Sequence, residues 1–136
     1  MKRSATFILL SCILIYGCAK KSGRMDVISS QSITSENWYE LDIDVIVNEK
    51  IASAKDACSK EIIQHILDND FQSAYFSFDL SGYPNEISVD IFTSKKNFEK
   101  NIKSYSFRYA TKFNAENVEV QNNIKDNPTE FKILYE

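Results

Sequence analysis

Residues 38–48 alternate without a break: Tyr39, Leu41, Ile43, Val45 and Val47 are apolar, while Glu40, Asp42 and Asp44 between them are acidic. In an extended chain successive side chains point to opposite faces, so a period of two buries one face as a β-strand and would scatter around a helix. This strand needs a sheet that is covered on one side and wet on the other. A sheet covered on both sides draws near-continuous apolar strands instead. The whole chain of 136 residues is one domain's worth, and its 12% aromatic content provides bulky core side chains.

The pattern changes period after this strand. Ser53 stands three residues before Asp56, like a capping box, and Ala54, Cys58, Ile62 and Ile66 follow at four-residue steps with Ile63 and Leu67 beside them. This predicts an amphipathic helix of about 16 residues ending near Asn69. Ala74, Phe76, Phe78 and Leu80 then alternate with Tyr75, Ser77 and Asp79. Turn chemistry follows in Ser81-Gly82-Tyr83-Pro84-Asn85, and Ile87, Val89 and Ile91 alternate with Ser88, Asp90 and Phe92. The direct reading is a β-hairpin. Phe98, Ile102, Tyr105, Tyr109 and Phe113 fall at helical steps and predict a second helix. Val118 and Val120 predict a short strand, and Phe131, Ile133 and Tyr135 a closing one.

The expected fold class is therefore α+β, with the order β-α-β-β-α-β and room for an extra C-terminal strand. Two helices would cover one face of an antiparallel sheet, an arrangement that resembles the ferredoxin-like, split-βαβ fold. Its first and third strands would be neighbours, bringing Asp42 or Asp44 towards Asp90. The outward side would carry Trp38, Glu40, Asp42, Asp44, Tyr75, Asp79, Asp90 and Phe92. Aromatic groups set among acids make this a candidate partner-binding face. Acidic side chains also keep an uncovered sheet face wet and discourage stacking, so the same residues serve a structural purpose.

Catalytic material is scarce. The chain has one His, three Cys and three Gly, too few for a phosphate-cradling loop or a transition-metal centre, and no Gly-x-Ser-x-Gly elbow is present. His65 follows Cys58 by seven residues, about 10 Å along a helix, which is too far for a thiolate–imidazole pair. Cys58 belongs to the apolar stripe, and His65, four after Glu61, fits a surface helix pair. The formal charge of −3 argues against holding a nucleic-acid backbone. No catalytic residue, metal site, cofactor or small-molecule substrate is assigned, and the chain reads as non-enzymatic.

The N-terminus gives an address. Lys2 and Arg3 precede the apolar run Phe7-Ile8-Leu9-Leu10-Ser11-Cys12-Ile13-Leu14-Ile15-Tyr16, then Gly17-Cys18, then the polar Ala19-Lys20-Lys21-Ser22. The run is short for a bilayer span and has the layout of an export signal. Its end, Ile15-Tyr16-Gly17-Cys18, resembles the lipobox of bacterial lipoproteins. That resemblance implies removal of residues 1–17 and lipidation of Cys18. Leu9-Leu10-Ser11-Cys12 has a similar form, but processing there would leave Ile13-Leu14-Ile15-Tyr16 exposed. Residues 18–36 are then the lipidated cysteine and a Ser-rich tether with an r.m.s. span of roughly 20–25 Å. Residues 37–136 are the folded domain. Ala19 lacks the acidic group associated with inner-membrane retention, so the resemblance points to an outer membrane and a domain facing the periplasm. Two functions follow as expectations. One is a protein-binding accessory module of an envelope machine of secretion, pilus or conjugation type. The other is an immunity or exclusion lipoprotein that blocks a toxin, phage or plasmid.

Overall fold

The computed structural model describes residues 24–114, 116–117 and 122–136. The chain forms β1 (Met25–Ser35), β2 (Trp38–Val47), α1 (Glu49–Ser53), α2 (Lys55–Asp68), α3 (Phe78–Ser81), β3 (Glu86–Phe92), α4 (Lys95–Glu99), β4 (Tyr105–Ala110) and β5 (Lys132–Tyr135). The strands build one sheet in the order β1-β2-β3-β4-β5. β2 and β3 are parallel, and the other neighbouring pairs are antiparallel. This mixed sheet overturns the ferredoxin-like expectation. A single long helix, α2, lies in the β2-to-β3 crossover, and the strands run across the sheet in chain order.

The alternation in β2 acts as expected. Leu41, Ile43, Val45 and Val47 are buried together with Ile87, Val89 and Ile91 of β3 and Tyr105 and Phe107 of β4. α2 lays Cys58, Ile62 and Ile66 on this face. The Ser59 Oγ donates to the Lys55 carbonyl at 2.8 Å and lies 3.1 Å from the Tyr105 Oη, tying the helix to β4. The helix start differs from expectation. Asn48, not Ser53, is the cap, accepting from the Ile51 N–H at 2.9 Å, and the helix breaks at Ala54 before resuming. Ser53 turns its hydroxyl back to the Lys50 carbonyl.

Three further corrections have local causes. The polar stretch read as a tether over 18–36 contains β1, which pairs with β2 along its length through the two-residue loop Glu36-Asn37. Only Met25 and Val27 of β1 are buried, and Ser29 to Ser35 are exposed, so the strand leaves little hydrophobic pattern. The strand expected over 74–80 does not form. Ser77 adopts an inverse γ-turn (φ −81°, ψ 56°), in which the Phe78 N–H donates to the Phe76 carbonyl. This brings the Phe76 and Phe78 rings into a stack, 5.5 Å between centroids. The helix expected over 98–113 stops at α4. Asn101 turns left-handed (φ 53°) and the chain re-enters the sheet as β4. Tyr105, Phe107 and Tyr109 satisfy a period of two as well as a helical one, and the vacant edge of β3 selects the former. The expected strand at Val118 and Val120 lies outside the described residues.

Candidate functional site: the outer face of the sheet

The side chains that β2 points away from α2 line up against those of β3. Glu40 stands opposite Glu86, Asp42 opposite Ser88, and Asp44 opposite Asp90. All six are partly exposed. Like charges directly opposite on neighbouring strands repel, so this face is held together against its own electrostatics. Compensation is uneven. Arg108 of β4 reaches Glu86 at 2.8 Å and Glu136 at 3.0 Å. Asp90 receives Lys103 and the Ser106 hydroxyl. Among the described residues, no ion pair reaches Glu40, Asp42 or Asp44.

The β2 carboxylates respond accordingly. Burial, and next the negative charge of Glu40, raise the Asp42 carboxyl above its ordinary value, and the Asp42 Oδ1 is buried with no hydrogen-bond partner. Burial, and next Asp90, raise Asp44, while the Ser29 hydroxyl and Lys103 pull it down. The result is a negative row along β2 in which, among the described residues, no carboxylate has an ion pair of its own: Glu40 accepts the Ser88 hydroxyl at 3.3 Å, Lys103 acts on Asp44 from a distance, and the paired cations are displaced towards β4. Among the described residues, no group of three or more His, Cys, Asp or Glu side chains is arranged to hold a metal ion.

The other expected members of the face part company. Trp38 and Glu40 sit where β2 leaves the hairpin, on the acidic side. Phe92 does point outward, opposite Ile46, but it is buried because Phe98 of α4 stacks edge-on against it at 5.3 Å. α4 thus closes one end of the face. Tyr75 and Asp79 are not on the sheet. Tyr75 is 75% exposed in the segment before α3, and Asp79 is exposed within α3. Their placement fails with the hairpin that was to carry them.

Sequence reasoning missed Glu86, Lys103, Ser106, Arg108 and the Ser29 and Gln31 row of β1. For Ser106 and Arg108 a signal exists, since they alternate with Tyr105, Phe107 and Tyr109. For β1 only Met25 and Val27 carry one.

A cleft of about 450 Å³ lies at the β1–β2 hairpin tip, between Trp38, Tyr39, Tyr83, Asn85, Asn123 and Asp126. Its polar groups are largely committed. The Asn85 side chain accepts from the Tyr39 N–H and donates to the Asn122 carbonyl, and the Tyr83 ring is engaged by Phe78 and by Lys125. Away from the face, the His65 Nδ1 bonds Asp70 and its ring lies 5.3 Å from Phe71, a structural setting at the end of α2. Among the described residues, no helix is long and apolar enough to cross a membrane. Comparison of the chain with family models, curated proteins and solved structures finds no match.

Proposed function

We propose that this chain is a small bacterial envelope lipoprotein, anchored through lipid on Cys18 at the outer membrane and facing the periplasm. Its folded domain acts as a non-enzymatic protein-binding module, an assembly or accessory part of an envelope machine of secretion, pilus or conjugation type. The anchor rests on the apolar run that ends in Ile15-Tyr16-Gly17-Cys18. The binding reading rests on one observation: a sheet face whose acidic row, Glu40, Asp42 and Asp44, has no cation paired to it among the described residues. Such a row supplies long-range attraction and register for a basic partner more than raw affinity.

Two measurements test this reading. Mass spectrometry of the N-terminal peptide, expressed in a bacterium, is expected to find lipid on Cys18 and none in Cys18→Ser. An unmodified or simply cleaved N-terminus removes the anchor. Mild crosslinking and capture of the intact protein is expected to recover an envelope protein, less of it when Asp42 and Asp44 are both changed to Asn. Capture that appears only when a foreign toxin or phage protein is added moves the function to immunity or exclusion.

A further inference from the structure

Two edges bound the sheet, and they are protected very differently. β5 has four residues, carries Lys132 and follows a turn containing Pro128. Short length, an edge lysine and a nearby proline are the usual devices that stop an edge from pairing with other chains. β1 has eleven residues. Over 28–35 it reads Ile-Ser-Ser-Gln-Ser-Ile-Thr-Ser, with no charge, proline or glycine. Its protection is confined to its start, where the register shifts between Val27 and Ser29 and the Ser73 hydroxyl donates to the Val27 carbonyl. Beyond that point Ser29 to Ser35 are exposed. Among the described residues, no segment pairs with their outer backbone groups.

The neighbouring row specifies what such an edge would take. Ser29 stands opposite Asp44, Gln31 opposite Asp42 and Ile33 opposite Glu40. A strand added to β1 lies about 9–10 Å from β2, two strand spacings. Lys and Arg have stems long enough to lie over the neutral side chains of Ser29, Gln31 and Ile33 and bring their charge to a carboxylate beyond them. A second copy of this chain fits less well. It would set one neutral β1 against another and bring no cation to the acidic row.

We infer that the free edge of β1, over residues 28–35, docks an extended basic segment of a partner protein. The segment adds to the sheet as a sixth strand, with Lys or Arg at alternate positions facing Glu40, Asp42 and Asp44. Main-chain hydrogen bonds supply the attachment, and the carboxylate row supplies the choice of partner. The inference rests on the protein-binding reading and deepens it by naming the surface and the chemistry of the partner.

The test is amide hydrogen exchange on the full chain with an alternating Thr-Lys octapeptide as probe, and a Thr-Glu octapeptide as control. Protection is expected at residues 28–35 with Thr-Lys and not with Thr-Glu, and it should fade as salt is raised. The double variant Asp42→Asn, Asp44→Asn is expected to weaken Thr-Lys binding roughly 2- to 30-fold while leaving the fold intact. Gln31→Lys, which supplies its own cation to Asp42, should weaken it in the same direction. Equal binding of both peptides, or protection located elsewhere, overturns the proposal. So does concentration-dependent protection of 28–35 without peptide, which makes a second copy the occupant. A partner captured through another surface also overturns the edge but leaves the binding reading standing. Protection of 28–35 by Thr-Lys supports the edge even where the capture experiment returns no partner.

Discussion

Asp44 and Asp90 stand opposite each other across the parallel β2–β3 pair, and they are neutralised unequally. Asp90 holds Lys103 and, at 2.7 Å, the Ser106 hydroxyl. Asp44 has the Ser29 hydroxyl and no ion pair of its own among the described residues, and its carboxyl is raised by burial and by Asp90. A carboxyl raised in the native state binds its proton more tightly there than in the unfolded chain. Its penalty is therefore full above the raised value and disappears as pH falls below the ordinary value of 3.8. Asp44→Asn is expected to gain roughly 0.2–1 kcal/mol at pH 7, and Asp42→Asn less, since Ser88 rather than a carboxylate stands opposite it. At pH 3 both gains should vanish. Urea unfolding at the two pH values checks this, and a loss of stability at pH 7 contradicts it.

Asn69 ends α2 in the left-handed conformation (φ 53°, ψ 44°), and its side chain closes a ring with Phe76. The Nδ2 donates to the Phe76 carbonyl at 2.7 Å, and the Oδ1 accepts the Phe76 N–H at 2.8 Å. Asn69→Ala loses both bonds and places a Cβ where left-handed backbone is costly, for an expected loss of roughly 2–4 kcal/mol. Asn69→Gly keeps the conformation and loses only the bonds, so it should cost less. Equal losses for the two variants would mean that the backbone conformation contributes nothing.

Phe92 is 2% exposed yet lies on the outer face, where Phe98 is its cover. Phe92→Ala is expected to cost about 3–5 kcal/mol. Phe98→Ala should cost less, about 0.5–1.5 kcal/mol, and should uncover an apolar patch that binds a hydrophobic dye in the folded state. A neutral Phe98→Ala with no dye binding would show that α4 does not seal this end of the sheet.

Cys58 is a free cysteine, 1% exposed against the sheet, and burial raises its thiol further from the reactive thiolate. Alkylation mapped to the Cys58 peptide is expected to be slow in the native protein and fast in denaturant. Rapid native labelling would place this residue outside the core.

Elements whose apolar period had one interpretation were legible in the residues. β2 alternates over its full length. α2 carries its stripe through Cys58, Ile62 and Ile66, and Phe131, Ile133 and Tyr135 marked β5. Elements with two compatible periods were not. Tyr105 and Tyr109 fit a helix as well as a strand, and the exposed Ile102, at 53%, shows that the helical stripe was never used. Phe76 and Phe78 alternate as a strand would, but a turn at Ser77 stacks them instead. β1 had almost no period, because most of it meets solvent on both faces.

The candidate site divides along the same line. The acidic row of Glu40, Asp42 and Asp44, and its opposition to Asp90, follow from strand alternation and the adjacency of two strands. Side-chain direction in a strand is a local property, so within β2 and β3 the residues alone determined which groups face outward, whereas Tyr75 and Asp79 lost their place with the strand that did not form. They also determined the apolar N-terminal run and the lipobox-like Ile15-Tyr16-Gly17-Cys18 that follows it. Only the tertiary structure decided that Lys103 and Arg108 pair with Asp90 and Glu86 of β3 and, among the described residues, with no carboxylate of β2, that Phe98 closes over Phe92, and that a serine-rich stretch becomes the long edge strand of the sheet. Each of these depends on contacts between residues distant in the chain, and such contacts form according to which edges and faces the rest of the fold leaves vacant.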